Sequence, residues 1–255
     1  MKYQRSDYVI FTDLDGTLLD HKSYSCEPAR PALEGIRTRQ IPLVFCTSKT
    51  RAEVEATRAA LDNRDPFIVE NGAAILIPRG YFPFPVQASR RLEMYEVIEF
   101  GVPYAEVVAA LDRAAAASGC PVRGFHEMTS ADVAECCGLS IAEAARAKQR
   151  EYDEPFQVLT ESPALICALL NQIEEQGLGW TRGGRFYHVR GDYNKGRAAG
   201  ILKALYQRFN PGTITVGLGD GPNDLSLLQT VDVPFPLRTG PQGWNQAVLG
   251  IICRS

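Results

Sequence analysis

Short apolar runs alternate with amphipathic stretches through the first third of the chain. Continuous apolar runs predict buried strands, and apolar positions at helical spacing predict helices. Strands are predicted over Tyr8–Thr12, 41–46 and Phe67–Val69, and helices over 28–40 and 50–61. Strands that alternate with helices of this length indicate an α/β fold with a Rossmann-like, doubly wound parallel sheet.

The alternation breaks at the turn of residues 78–80 and is regular again after residue 188. Between these points, helices are predicted over 104–118, 130–137, 140–150 and 162–176, and strands over 97–100 and 156–159. The last part of the chain has a predicted helix at 194–208, a strand at 213–218, a helix at 222–228 and a strand at 231–235. We therefore predict a core domain of residues 1–80 and 188–255 and an inserted α+β domain of residues 81–187.

Composition excludes several classes of protein. The 255 residues carry a net charge of −3, and 45% of them are hydrophobic, which is typical of a globular protein and not of one that binds nucleic acid or an anionic membrane. No apolar stretch is long enough to span a bilayer, and the chain has no export-signal pattern, so we expect a cytoplasmic protein. The seven cysteines contain no Cys-x-x-Cys pair and the three histidines are dispersed, so no zinc site is expected.

Paired acidic residues follow two of the predicted strands. Asp13 and Asp15 come directly after the first strand, where side chains two positions apart project in the same direction. Asp220 and Asp224 follow the strand predicted at 213–218. Since ligands bind at the carboxyl ends of strands in open α/β sheets, we expect the carboxylates to converge there. An Asp-rich turn or a helix cap explains one acid, whereas converging carboxylates need a cation, and Mg²⁺ prefers such oxygen ligands.

Three further residues fit a phosphate group. Thr47 and Ser48 place hydroxyls at the end of the strand predicted at 41–46, before a helix whose N-terminal amides favour an anion. Lys195 stands at the start of a predicted helix, where an acid is favoured over a cation. Each residue alone has an ordinary structural explanation. Together with the acidic pairs, they indicate a site for Mg²⁺ and a phosphate.

The motifs that contain these residues resemble those of the haloacid dehalogenase superfamily of phosphohydrolases. They span most of the chain, and the insert resembles the α/β cap of the sugar-phosphatase branch. The resemblance rests on Asp13-Leu14-Asp15-Gly16-Thr17, Thr47, Lys195 and Gly219-Asp220-x-x-Asn223-Asp224.

The resemblance implies a role for each residue in phosphoryl transfer. Asp13 would be the nucleophile that forms an aspartyl-phosphate. Asp15 would protonate the leaving alcohol and then activate water. Thr47 and Lys195, with Ser48, would bind the phosphoryl oxygens.

The resemblance also implies Mg²⁺ as the cofactor. The ion would be bound by Asp13, by the backbone carbonyl of Asp15 and by Asp220. Asn223 or Asp224 would support this metal site.

Other segments resemble the corresponding segments of the subfamily of phosphatases that act on mannosyl-3-phosphoglycerate. These segments are residues 45–51, 70–75, 153–156 and 183–188. The similarity implies a small phosphorylated glycoside as substrate and mannosylglycerate, a compatible solute, as product. It implies substrate contacts from Lys49, Glu154, Arg182, Arg185 and His188, in which the arginines pair with a carboxylate and Glu154 accepts hydrogen bonds from sugar hydroxyls. His188 is equally explained as a hinge residue.

Other functions remain open at this point. Among enzymes, these are a phosphatase for glucosyl-3-phosphoglycerate or for another sugar phosphate, and a phosphomannomutase-like phosphotransferase. A phosphatase passes the phosphoryl group to water, whereas the phosphotransferase passes it to a second sugar hydroxyl. A catalytically inactive binding protein on this fold is disfavoured because every motif residue that the chemistry needs is present. We expect a monomer or homodimer, with no nucleic-acid or membrane partner.

Overall fold

The computed structural model describes residues 6–183 and 186–253, which form two compact units. Unit 1 contains the described residues of Met1–Ser48, Arg58–Glu99 and Asn194–Ser255. Unit 2 contains the described residues of Lys49–Thr57 and Phe100–Tyr193. No helix in the described residues is long and apolar enough to cross a membrane.

The helices and strands are numbered in chain order. The strands are β1 (Tyr8–Thr12), β2 (Leu43–Cys46), β3 (Phe67–Val69), β4 (Ala74–Pro78), β5 (Arg90–Arg91), β6 (Tyr95–Glu99), β7 (Val122–Gly124), β8 (Asp153–Val158), β9 (Gly179–Gly183), β10 (Phe186–Arg190), β11 (Ile214–Gly219) and β12 (Val233–Pro236). The α-helices are α1 (Arg30–Thr38), α2 (Arg51–Ala60), α3 (Tyr104–Ser118), α4 (Ser130–Cys137), α5 (Ile141–Ala147), α6 (Pro163–Glu175), α7 (Lys195–Phe209), α8 (Leu225–Thr230) and α9 (Gly240–Ile252). Short 3₁₀ helices occupy Glu27–Ala29, Glu70–Gly72 and Pro222–Asp224.

Unit 1 is built on one mixed sheet with the strand order β12-β11-β1-β2-β3-β4-β6-β5. The strands from β12 to β3 are parallel, and β4, β6 and β5 extend the sheet in antiparallel pairing. Val9, Ile10 and Phe11 of the central strand β1 are fully buried, as a parallel sheet covered on both faces requires. The α/β fold with a Rossmann-like sheet, predicted from the alternating pattern, is confirmed.

The boundaries between the two units differ from the predicted boundaries of the insert, residues 81–187. Strands β5 and β6 lie within that range, yet they pair with the sheet of unit 1, where Val97 is opposite Leu76. Burial explains this placement, because Val97 is almost completely buried in that sheet. At the other end, the predicted boundary at residue 188 falls inside β10, and unit 2 continues to Tyr193.

Unit 2 is built on an antiparallel sheet with the strand order β7-β8-β10-β9. Helices α3 and α6 pack on one face, through a cluster of buried residues that includes Leu111, Leu169, Phe156 and Val189. A second cluster, which includes Met128 and Val133, lies at α4 and α5. The sheet with its helices is the α+β arrangement that the irregular order of elements predicts for the insert.

Candidate active site

The acidic residues of unit 1 are brought together by the ends of two neighbouring strands. Strands β1 and β11 pair in parallel, and the backbone N–H of Asp13 donates to the carbonyl oxygen of Leu218 at 2.9 Å. Asp13 follows β1, and Asp220 follows β11. Parallel strands end at the same edge of the sheet, so both carboxylates reach one site, as the sequence predicts.

A buried lysine links two of the carboxylates. Lys195 Nζ lies 2.6 Å from Asp13 Oδ1 and 2.6 Å from Asp224 Oδ1, and the Lys195 side chain is fully buried. Lys195 is the first residue of α7, whose N-cap Asn194 accepts a hydrogen bond from the backbone N–H of Arg197 at 2.9 Å. A cation is unfavourable at the start of a helix, but the two acidic partners of Lys195 explain why a lysine is found there.

Two glycines allow α7 to approach the rest of unit 1 closely. A Cβ atom on Gly72 would lie 2.3 Å from the carbonyl oxygen of Asn194, and one on Gly196 would lie 2.3 Å from the carbonyl oxygen of Ser226. Gly72 also has a φ of +98°, which residues with a side chain rarely adopt. The position of Lys195 thus depends on residues that have no side chain.

Three carboxylates are close enough to share one metal ion. Asp13, Asp220 and Asp224 each offer an oxygen atom, and these atoms lie within 4.8 Å of one another. Burial raises the pKa of Asp13 to about 7, with Lys195 lowering it and Asp224 raising it. For Lys195, burial opposes the charged form, but Asp13 and Asp224 raise its pKa well above the usual value. One lysine does not balance three carboxylates, so this set of oxygen donors fits a hard divalent cation.

The Asp220 carboxylate is held by two residues of the loop that follows β1. Thr17 Oγ1 donates to Asp220 Oδ1 at 2.6 Å, and His21 Nε2 lies 3.3 Å from Asp220 Oδ2. A Cβ on Gly16 would lie 2.2 Å from His21 Nε2, so only glycine leaves room for this contact. The sequence predicts neither contact, because both depend on the path of the loop.

The other residues predicted for phosphate and metal binding lie in the same unit. Thr47 is buried, and its backbone oxygen accepts a hydrogen bond from the N–H of Asn71 at 2.9 Å, while Ser48 beside it is half-buried. Asn223 Nδ2 donates to Asn71 Oδ1 at 3.0 Å. Asp15 is half-buried, two residues after Asp13, and does not belong to the group of three carboxylates.

Unit 2 contains the residues predicted to contact the substrate's sugar and carboxylate, apart from Arg185, which lies outside the described residues. Lys49 Nζ lies 3.6 Å from Glu53 Oε1. Glu154 is fully buried: its Oε2 accepts a hydrogen bond from the Tyr104 hydroxyl at 2.6 Å, and its Oε1 lies 2.7 Å from His126 Nδ1. Both carboxylate oxygens of Glu154, which were predicted to accept hydrogen bonds from sugar hydroxyls, therefore already have partners within the protein.

The structure does not bring Arg182 and His188 together. Neighbouring side chains of a strand point to opposite faces, and Val189 packs on the face covered by α3 and α6. Tyr187 shares that face, and Arg182, its partner on β9, lies with its guanidinium 5.2 Å from the Tyr187 ring centroid. His188 lies on the other face, where its Nδ1 is 3.2 Å from Asp153 Oδ2. One ligand on one face of this sheet would meet only one of the two.

Comparisons with known proteins show which family the chain is similar to. The sequence model of the haloacid dehalogenase-like hydrolases matches residues 10–83. The chain is 39% identical to the glucosyl-3-phosphoglycerate/mannosyl-3-phosphoglycerate phosphatase of Methanococcoides burtonii, over 96% of this chain and 97% of that protein. It is 38% identical to the mannosyl-3-phosphoglycerate phosphatase of Pyrococcus furiosus, over 89% of each protein.

A solved structure shows the same fold. The chain resembles a haloacid dehalogenase-like hydrolase from Bacteroides thetaiotaomicron with a TM-score of 0.64 and 16% sequence identity. The match covers 96% of this chain and 100% of that chain. At this level of identity the likeness concerns the fold alone.

Proposed function

Because this chain belongs to the haloacid dehalogenase-like hydrolases and is a phosphoric monoester hydrolase, we propose that its substrate is mannosyl-3-phosphoglycerate. The observation that carries the proposal is the identity over nearly the full chain to two phosphatases named for this substrate. The name of one relative adds glucosyl-3-phosphoglycerate, which makes this glycoside the second candidate. The products would be inorganic phosphate and mannosylglycerate, a small compatible solute made in the cytoplasm.

The proposed reaction uses the carboxylates in turn. Asp13 attacks the phosphorus atom and forms an aspartyl-phosphate, while Asp15 gives a proton to the leaving glycerate oxygen. Asp15 then takes a proton from the water that hydrolyses the aspartyl-phosphate. Lys195, Thr47 and Ser48 bind the phosphoryl oxygens and stabilise the charge that develops on them. The position of Lys195 beside Asp13 supports this assignment.

The proposed cofactor is Mg²⁺, bound by Asp13 and Asp220 with Asp224 or Asn223 in support, and by the backbone carbonyl of Asp15. The ion would neutralise charge on the phosphate and on the crowded carboxylates. Thr17 would orient Asp220 through its 2.6 Å hydrogen bond, since residues behind a metal ligand fix its direction. Lys49, Glu154 and Arg185 stay proposed substrate contacts. Arg182 and His188 lie on opposite faces of the sheet, so only one of the two can join them on one ligand.

The experiment is a comparison of phosphate release from several esters by the purified protein with Mg²⁺. The substrates are mannosyl-3-phosphoglycerate, glucosyl-3-phosphoglycerate, 3-phosphoglycerate, mannose 6-phosphate and an aryl phosphate. We expect the highest kcat/KM for one of the two glycosyl-3-phosphoglycerates, at least about a hundredfold above the aryl phosphate, because binding energy from the rest of the substrate is used in the transition state. The proposal would be contradicted if mannose 6-phosphate, a simple sugar phosphate, had the highest kcat/KM of the five esters.

A further inference from the structure

The sheet of unit 2 contains a buried carboxylate whose contacts the proposed reaction does not explain. Asp153 is the first residue of β8 and is fully buried. Arg150 Nη2 lies 2.6 Å from Asp153 Oδ1, and His188 Nδ1 lies 3.2 Å from Asp153 Oδ2. Arg190 is opposite Asp153 in the pairing of β8 with β10. A fully buried carboxylate costs free energy unless it is paired, and here its partners include the imidazole of His188.

The charges around Asp153 settle which atom carries the shared proton. Burial opposes ionisation of Asp153, but Arg150 and His188 outweigh it and hold the pKa of this carboxyl below its usual value. An ionised carboxylate only accepts hydrogen bonds. The Nδ1 atom of His188 must therefore carry the hydrogen that lies between the two side chains.

The second ring nitrogen of His188 then has a defined character. In a neutral imidazole with its hydrogen on Nδ1, Nε2 holds a lone pair and accepts a hydrogen bond. The guanidinium of Arg150 is a second partner of the Asp153 carboxylate, 2.6 Å from Oδ1. The His188 side chain is 21% exposed, and no hydrogen bond to its Nε2 is formed within residues 6–183 and 186–253.

We propose that Asp153 is a positioning residue that holds His188 with its hydrogen on Nδ1, so that Nε2 accepts a hydrogen bond from a hydroxyl of the substrate's sugar. This inference rests on the proposed function. It assigns His188 to the glycosyl part of the substrate, because phosphate and carboxylate oxygens are themselves acceptors and give Nε2 no hydrogen. Arg182 lies on the other face of the sheet and takes no part in this contact.

The tautomer is measured directly in the wild-type protein. Long-range ¹H–¹⁵N NMR distinguishes protonated from unprotonated ring nitrogens, and the chain has only three histidines, so a His188→Gln variant assigns the signals. We expect hydrogen on Nδ1 and none on Nε2 of His188. In Asp153→Asn, the new amide can donate to Nδ1, so we expect the hydrogen to move to Nε2 in a substantial fraction of molecules. A wild-type His188 with hydrogen on Nε2 would overturn the proposal without any assay of activity.

Kinetics test the contact with the sugar. His188→Leu removes the acceptor, and we expect kcat/KM for mannosyl-3-phosphoglycerate to fall by about tenfold or more, mainly through KM, while hydrolysis of an aryl phosphate stays within about twofold. His188→Gln places an amide oxygen near the position of Nε2 and should restore part of the loss. The kcat/KM of Asp153→Asn for mannosyl-3-phosphoglycerate should lie between the values of His188→Leu and His188→Gln. Asn171→Ala changes an exposed residue of α6 to which no substrate contact is assigned; it is the control and should change neither activity by more than about twofold.

The outcomes separate this inference from the proposed function. If His188→Leu lowers glycoside and aryl phosphate hydrolysis equally, His188 does not bind the sugar and the proposal is wrong. If His188→Gln restores nothing, acceptance of a hydrogen bond at Nε2 is not the role of this residue. If the wild-type protein prefers a phosphate ester without a sugar, the proposed function fails, and the NMR result still decides whether Asp153 positions His188.

Discussion

Lys195 Nζ lies 2.6 Å from Asp13 Oδ1, although 182 positions separate the two residues in the sequence. The same nitrogen lies 2.6 Å from Asp224 Oδ1, so one cation connects the loop after β1 with the loop after β11. Both contacts are buried. The lysine that is proposed to bind the phosphoryl group therefore also holds two mutually repelling carboxylates in the folded protein.

Removal of this cation should destabilise the protein. In Lys195→Met, Asp13 and Asp224 lose their buried counter-ion, and breaking such a pair costs about 3–5 kcal/mol. We expect the free energy of unfolding, measured by urea denaturation, to fall by this amount without divalent ions. Saturating Mg²⁺ should recover part of the loss, because a cation bound only by the folded state stabilises it.

The matched control for this variant lies on the same helix. Lys203 Nζ lies 2.6 Å from Asp232 Oδ1 in an exposed ion pair, and such pairs contribute about 0–1 kcal/mol. Lys203→Met should therefore cost about 1 kcal/mol or less and should not respond to Mg²⁺. Equal losses in the two variants would show that the buried contacts of Lys195 do not stabilise the fold.

Asp13→Asn should abolish turnover and leave the fold intact. The amide is nearly the same size as the carboxylate and still accepts a hydrogen bond from Lys195, but it is a far poorer nucleophile. We expect kcat to fall by at least about a thousandfold, with an unchanged circular dichroism spectrum. Asp7→Asn changes an exposed carboxylate just before β1 and should keep full activity. Turnover of the Asp13 variant within about tenfold of wild type would exclude Asp13 as the nucleophile.

Metal affinity should depend on Asp220 more than on Thr17. We expect calorimetry to show that Asp220→Ala, which removes a proposed ligand, weakens Mg²⁺ binding by at least about a hundredfold. Thr17→Val removes only the 2.6 Å hydrogen bond to Asp220 and should weaken Mg²⁺ binding by about tenfold. The three carboxylate oxygens within 4.8 Å provide the reason to expect binding of this kind. Phosphatase activity that survives exhaustive chelation would contradict the metal assignment.

The fold could be predicted where a local pattern determines the element. The sequence predicts β1, β3, α3 and α4 with the bounds that the structure has. At the start of α2, Thr50 and Glu53 form a capping box, a local pattern of the same kind. Helix α9 was missed because its glycines and its proline are poor helix formers. Tertiary contacts hold it: Trp244 is fully buried and donates to Thr12 Oγ1 at 3.0 Å.

The positions of site residues could be predicted where the residues directly follow strand ends. They could not be predicted where the path of a loop or the pairing of strands determines which side chains meet. Asp13 and Asp220 converge because β1 and β11 are parallel neighbours. The contact of His21 with Asp220 needs the turn at Gly16, which local pattern does not reveal. Likewise, only the register of β9 with β10 shows that Arg182 and His188 lie on opposite faces.

The position of Lys195 should be sensitive to a single methyl group at Gly72. In Gly72→Ala, the new Cβ would lie 2.3 Å from the carbonyl oxygen of Asn194 and 2.9 Å from the backbone nitrogen of Lys195, so the start of α7 must shift. The φ of +98° adds backbone strain. We expect the free energy of unfolding to fall by about 2 kcal/mol or more. If Lys195 binds the phosphoryl oxygens as proposed, its displacement by about 1 Å should lower kcat on the order of a hundredfold.

The control for this last prediction is a glycine in an open helical position. A Cβ on Gly250 in α9 meets no atom within 4 Å, and alanine is the better helix former, so Gly250→Ala should stabilise the protein by about 1 kcal/mol or less without a change in kcat. A Gly72→Ala protein with wild-type stability and turnover would show that α7 tolerates the shift. The location of Lys195, and with it the geometry proposed for phosphoryl transfer, would then not depend on the close approach at Gly72.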